Sequence, residues 1–348
     1  MNSLKSKRRK IVASSVSMML ALTLFVNSTP ASATVTTYGK WASRTQTINV
    51  VNTTSLTHWS NGAAKWKNST NYNVSAMTGM GLTYYTLDVN KSNVDWDGLC
   101  TFTVTSGIIT KAILNLNTHY TSQSQYTNSV IAGVTGHEIG HSLGLNHTSV
   151  VETSSIMHPY TFNDNGTLAR ALSPSTSDKT VVNNLYPLAT LAANRVDLES
   201  SSDDQTIQLE PSWAVYYEDE EALTKAADLV IRGTVLETIG NYALKGNYSD
   251  YNTRVNIRLS DVIKGAELVG ETITISQMGG TDGKVDVLSD HSTHLKEKQE
   301  VVLFLRQSSD GTYRPINEDD GIFVLRNSQF NNIATDQELN EQKIESAL

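Results

Sequence analysis

The spacing of apolar residues changes several times along the chain, and each period predicts an element. From Thr45 to Asn52, Ile48 and Val50 fall on one face of an alternating run, which predicts a strand. Ser55 to Lys67 carries Leu56, Trp59, Ala63 and Trp66 at helical spacing, which predicts an amphipathic helix. Further strands are expected at Leu82–Val89, Thr101–Val104 and Ile108–Leu116. A long helix follows, with Ala132, Gly136, Ile139 and Leu143 on one face at intervals of three and four. This order implies an α/β (α+β) layered domain with one main sheet.

The second half has another rhythm. A short acidic helix, Asp219–Ala226, precedes period-two runs at Leu229–Val235, Thr253–Val262, Glu271–Gln277, Glu300–Leu305 and Ile322–Leu325. Turn pairs such as Gly279-Gly280, Asp282-Gly283 and Asp310-Gly311 separate several of them. A small all-β sandwich or barrel is the expected architecture.

Charge divides the chain at a similar place. Thr34–Thr190 holds eight Lys/Arg and seven Asp/Glu, whereas residues from Leu191 onward hold 14 and 28. We therefore expect a first domain over 34–190, an acidic linker over 191–212 and a β-rich domain over 213–348. An excess of acids on this scale argues against nucleic acid as a partner.

Residues 1–33 read as an export signal: Lys5, Lys7, Arg8, Arg9 and Lys10, an apolar run from Ile11 to Val26, then Ala31-Ser32-Ala33 as a small-x-small cleavage site. No later segment is apolar enough to span a bilayer, so no stable membrane insertion is expected after cleavage. The single cysteine, Cys100, leaves no internal disulfide and is expected to be an ordinary buried residue. Asn146, in an Asn-x-Thr site, directly precedes His147, where a glycan would obstruct the chemistry described next. A secreted, extracellular protein of bacterial origin is the expectation.

The informative run is His137-Glu138-Ile139-Gly140-His141-Ser142-Leu143-Gly144-Leu145-Asn146-His147. Helical residues four apart lie one above the other, about 6 Å along the axis, so His137 and His141 can face one ion. Glu138 lies about 100° round the helix, beside that ion and not on it. From there its carboxylate can take a proton from a water that zinc has made acidic. Gly144 can end the helix in an unusual backbone conformation, letting His147 approach the same ion from outside. Three nitrogen ligands leave a fourth vertex open, the arrangement of a catalytic zinc. One histidine alone would more often be a packed or surface residue; the set at these intervals is specific.

This run resembles the extended zinc signature of the metzincin peptidases. Ser154-Ser155-Ile156-Met157-His158-Pro159-Tyr160 is similar to their Met-turn. The resemblance implies a zincin-like fold with a mixed sheet, Met157 as an apolar floor under the ligands, and Tyr160 as a donor to the tetrahedral oxyanion. Among metzincins the likeness is closest to the matrixins, the matrix-metalloproteinase-like group. Ile108–Asn117 is similar to their cleft-edge strand, and Ser173-Pro174-Ser175 with Asp178–Tyr186 to their closing helix. The likeness spans roughly residues 38–187. Thr148 departs from the usual serine, and no loop for a second, structural zinc is recognisable, His119 and His58 being the upstream histidines considered. A structural calcium is left open. No inhibitory propeptide fits between Ala33 and the first strand. His158 is expected to line the cleft; His291 and His294 are expected to decorate a loop.

The function these readings imply is that of a secreted zinc-dependent endopeptidase acting on protein or peptide substrates, with Glu138 as general base. The competing reading is an extracellular binding or anchoring protein dominated by its C-terminal β-domain. A further role for that domain would be to restrain the peptidase.

Overall fold

In the computed structural model the described residues are 37–188, 205–244, 247–281, 283 and 285–348. The expected export signal, the expected boundary near residue 190 and residues 191–204 of the expected linker lie outside them.

The first half runs β1 (Thr45–Val50), α1 (Leu56–Lys67), β2 (Asn73–Thr78), β3 (Tyr84–Val89), β4 (Trp96–Thr105), β5 (Ile108–Asn117), a one-turn α2 (Thr118–Thr121), α3 (Asn128–Ser142), β6 (Tyr160–Asn163) and α4 (Thr176–Leu185). Strands β2, β1, β3 and β5 are parallel neighbours, and β4 runs antiparallel outside β5. The β4–β5 turn is made by Ser106 and Gly107, both at positive φ, as a two-residue hairpin requires. That hairpin puts β4 outside β5, so Ile108–Asn117, expected at the cleft edge, is an inner strand between β3 and β4.

Strand β2 escapes the sequence pattern because only Val74 of its residues is buried. An edge strand with one anchored side chain shows no alternation.

Helix α1 buries Trp59, Ala63 and Trp66, as its periodicity predicts. It crosses α3 closely at Gly62, where a Cβ would come within 2.8 Å of the Gly136 nitrogen. Helix α3 is buried on every side from Val130 to Ser142, not only along its apolar face. A helix packed all round lies inside the protein; here the second half supplies part of the cover.

The second half comprises β7 (Gln205–Tyr216), α5 (Glu220–Ala226), β8 (Leu229–Leu244), β9 (Asn247–Lys264), β10 (Thr272–Met278), β11 (Gly280–Thr281), β12 (Asp286–Leu288), β13 (Glu300–Gln307), β14 (Tyr313–Pro315), β15 (Ile322–Arg326), β16 (Gln329–Asn332) and α6 (Glu341–Ala347). Strands β14, β10, β9, β8 and β13 pair in that order, and β13 pairs again with β14, closing a barrel. Its interior holds Ile231, Val255, Ile257, Ile275, Val301 and Leu303.

Strand β7 changes the domain picture. Residues 205–212, expected to be linker, pair antiparallel with β4 and add β7 to the first half's sheet. The signal was present: Ile207, Leu209, Pro211 and Trp213 alternate with Gln208, Glu210 and Ser212. The acidic residues just before it hid this period. Ile207, Leu209 and Trp213 join Trp96, Leu99, Tyr160, Tyr251 and Met278 in one apolar cluster shared by both halves. The described residues from 37 onward accordingly form one compact unit.

Candidate active site

Helix α3 starts at Thr127, whose hydroxyl accepts from the Val130 N–H. At its other end the Trp41 indole donates to the Ser142 carbonyl at 2.7 Å and the Tyr186 hydroxyl to the Leu143 carbonyl at 2.9 Å. These bonds satisfy carbonyls that a helix C-terminus leaves open. Gly144 follows at φ +100°, and its N–H returns to the His141 carbonyl at 2.8 Å. The chain thereby doubles back and brings His147 to the helix.

The result is a triangle of imidazole nitrogens. Nε2 of His141 lies 2.9 Å from Nε2 of His137 and 3.1 Å from that of His147, and the third side is 3.2 Å. The Nδ1 atoms of His137 and His141 face the carbonyls of Ile156 at 2.7 Å and Leu145 at 2.9 Å. A carbonyl only accepts, so each Nδ1 carries the proton and each Nε2 a bare lone pair.

Converging lone pairs repel unless a cation lies among them. Tetrahedral ligands about 2.0–2.1 Å from zinc sit about 3.3 Å apart, close to the separations found. Burial holds all three imidazoles well below their ordinary pKa, neutral and able to bind metal. The three ligand atoms lie within 4.8 Å of one another. The donor set therefore fits zinc.

Glu138 is fully buried and neither carboxylate oxygen has a hydrogen-bond partner. Its carboxylate lies under Gly98 of β4, where any Cβ would overlap it. Burial raises its pKa well above the ordinary range; the Arg170 guanidinium opposes this, and Asp97 adds to it. Arg170 donates to the Ser212 hydroxyl at 3.3 Å, and Ser212 in turn bonds Asp97, which also accepts from Tyr126 at 2.8 Å.

Met157 lies beside the ligands: a Cβ on Gly140 would overlap its sulfur. The turn that carries it is held by the Ser155 hydroxyl, which accepts from the Met157 N–H at 2.9 Å and donates to Asp178 at 2.8 Å. Asp178 also closes the capping box of α4 with Ser175.

Tyr160 begins β6, but its hydroxyl donates to the Asp320 carboxylate at 2.8 Å and its ring packs on Tyr216. The structure thus gathers His137, His141, His147, Glu138 and Met157 and turns the Tyr160 hydroxyl toward the second half.

Several neighbours are absent from the sequence reading. Glu210 of β7, fully buried, reaches 3.6 Å from Nδ1 of His147, with neither oxygen hydrogen-bonded. His291, expected to decorate a loop, has its Nε2 2.9 Å from the same nitrogen. His294 accords better with that expectation, capping the Met278 carbonyl. The buried His158 ring ties the Val150 carbonyl to the Tyr160 backbone. Cys100 is buried on β4, with its thiol pushed up by burial.

This fold, with three metal-ready imidazoles and a carboxylate beside them, is that of a zinc metalloendopeptidase. Residues 40–187 match the family model described as matrixin. No curated protein matches the chain in sequence. Among solved structures, high choriolytic enzyme 1, a hatching-enzyme zinc-protease of the medaka fish Oryzias latipes, aligns with 14% identity over 43% of this chain and 94% of its own, with a TM-score of 0.28.

Proposed function

We propose that the chain is an exported endopeptidase in which His137, His141 and His147 hold one zinc ion and Glu138 is the general base. The observation that carries this reading is the convergence of the Nε2 atoms of His137, His141 and His147 with the Glu138 carboxylate beside them. Zinc, when bound, polarises the scissile carbonyl and acidifies the attacking water. Glu138 takes the proton from that water and returns it to the leaving amine. Burial pushes its pKa up, with the Arg170 guanidinium opposing, which is the direction a proton acceptor in the site requires. Tyr160, once free of Asp320, donates its O–H to the oxyanion. Met157 packs as a polarisable floor against the ligand-bearing helix.

The test is hydrolysis of an unfolded protein by the zinc-loaded chain, with metal content measured in parallel. Glu138→Ala is expected to lower the rate by at least about 100-fold while retaining one zinc per chain. Retained hydrolysis would reject the assigned base, and lost zinc would show that Glu138 is needed for the metal site itself. Export is checked separately: the secreted chain should begin at Thr34, and an intact Met1 terminus on it would sink the signal reading.

A further inference from the structure

Strands β4 and β6 both lie within the residues that match the matrixin model, and both turn hydrogen-bonding edges toward β7. Strand β7 lies antiparallel to β4, with Cys100 opposite Glu210 and Gly98 opposite Ser212. On its other side it lies parallel to β6, with Tyr160 opposite Trp213 and Phe162 opposite Val215. The Trp213 N–H donates to the Pro159 carbonyl at 2.8 Å and the Ala214 N–H to the Asp95 carbonyl at 2.9 Å. Two strands paired to one middle strand stand about 10 Å apart, twice the strand spacing of ~4.8 Å. Without β7 they would form a slot one extended chain wide, with two open edges of the kind that capture peptides by strand addition.

The catalytic groups lie at the floor of that slot. Ser212 and Gly98 sit over the Glu138 carboxylate, and Glu210 projects to 3.6 Å from the outer nitrogen of His147. The backbone of Pro211 runs between these two contacts. Proline has no N–H and its ring fixes φ, so the backbone nearest the site offers no donor there and is conformationally restrained. The rest of the second half holds the strand down through Asp320 on Tyr160, His291 on His147 and Arg306 on Asp95. His137, Glu138 and His141 are left with no exposure to solvent.

We propose that Gln205–Tyr216 occupies the peptide-binding slot of its own enzyme, so that the folded chain is a latent form whose activation requires β7 to leave the space between β4 and β6. This rests on the proposed peptidase reading, and the test separates the two. Ala214→Pro removes the N–H that bonds Asp95 and should release the strand. Arg306→Gln, which loosens the grip without altering β7, is the second variant and carries the test if the first does not fold.

Binding is read with a fluorescein-labelled peptide of residues 205–216, using zinc-loaded full-length chains that also carry Glu138→Ala to prevent turnover. Hydrolysis of an exogenous quenched peptide is read in the same chains with Glu138 intact. Ala214→Pro is expected to bind the labelled peptide at least tenfold more tightly than the parent and to hydrolyse the quenched peptide at least tenfold faster; Arg306→Gln should show about a threefold gain in each. Tighter binding without hydrolysis keeps the latent-strand proposal and rejects the peptidase reading. Parent-like binding in folded variants overturns the proposal, and so does a parent chain whose hydrolysis is already fast and unmoved by either change, while the peptidase reading survives.

Discussion

Replacing Gly144 with alanine would test whether the backbone after α3 is what delivers the third histidine. At φ +100° an L-residue is strained, and a left-handed conformation costs roughly 1–2 kcal/mol. The new Cβ would also overlap the Gly39 carbonyl oxygen. Gly39 has little room to retreat, because its own Cβ position is 2.8 Å from the Gly107 carbonyl and Lys40 bonds that same carbonyl at 3.1 Å. Overpacking of this kind costs about 1–3 kcal/mol. The whole penalty is then about 2–5 kcal/mol, borne either by the fold or by the position of His147. If the fold absorbs it, the metal-free chain melts at lower temperature. If His147 moves instead, zinc affinity falls, tenfold for each ~1.4 kcal/mol. Unfolding of the metal-free chain and competition for zinc with a chelating dye measure the two shares. A sum below about 0.5 kcal/mol would refute the reasoning, since it would mean that Gly144 is replaceable and that the turn is set elsewhere.

Two further perturbations probe the support around the site. Asp178→Ala removes the capping box of α4 and leaves the buried Ser155 hydroxyl without its acceptor, so about 2–4 kcal/mol of stability should be lost; an unchanged urea midpoint would contradict that role. Asp320 has its carboxyl pushed up to about 7, by burial first, against the opposing bonds from Asn317 and Tyr160 and alongside the nearby Asp319 and Asp95. Between about pH 4 and 7 the folded chain therefore keeps a proton that the unfolded chain has released, and this contribution to stability is lost as pH rises through that window. Asp320→Asn should match the parent near pH 4 and exceed it at pH 8 by at most about 4 kcal/mol. Equal differences at both pH values in the metal-free chains would count against it.

Much of the active site could be read before any coordinates because its geometry is local. The interval from His137 to His141 and the single step to Glu138 are set by helix periodicity, and Gly144 signals the turn that returns His147. The helix of Trp59, Ala63 and Trp66 and the alternating runs of the barrel were legible for the same reason. Edge strand β2 was not, since one buried valine leaves no period to detect.

Short-range spacing marked out the three histidines, the carboxylate beside them, the layered first half and the β-rich second half, because each follows from a period acting on a buried face. Only the tertiary structure decided what lies over the site. Glu210 meets His147 across 63 positions and His291 across 144, and Asp320 meets Tyr160 across 160. Strand pairing places Glu210 through backbone hydrogen bonds that are nearly blind to residue type, while His291 and Asp320 reach the site from a turn and a short 3-10 helix between barrel strands. The partner of an open β-edge therefore leaves little mark on the residues that form it.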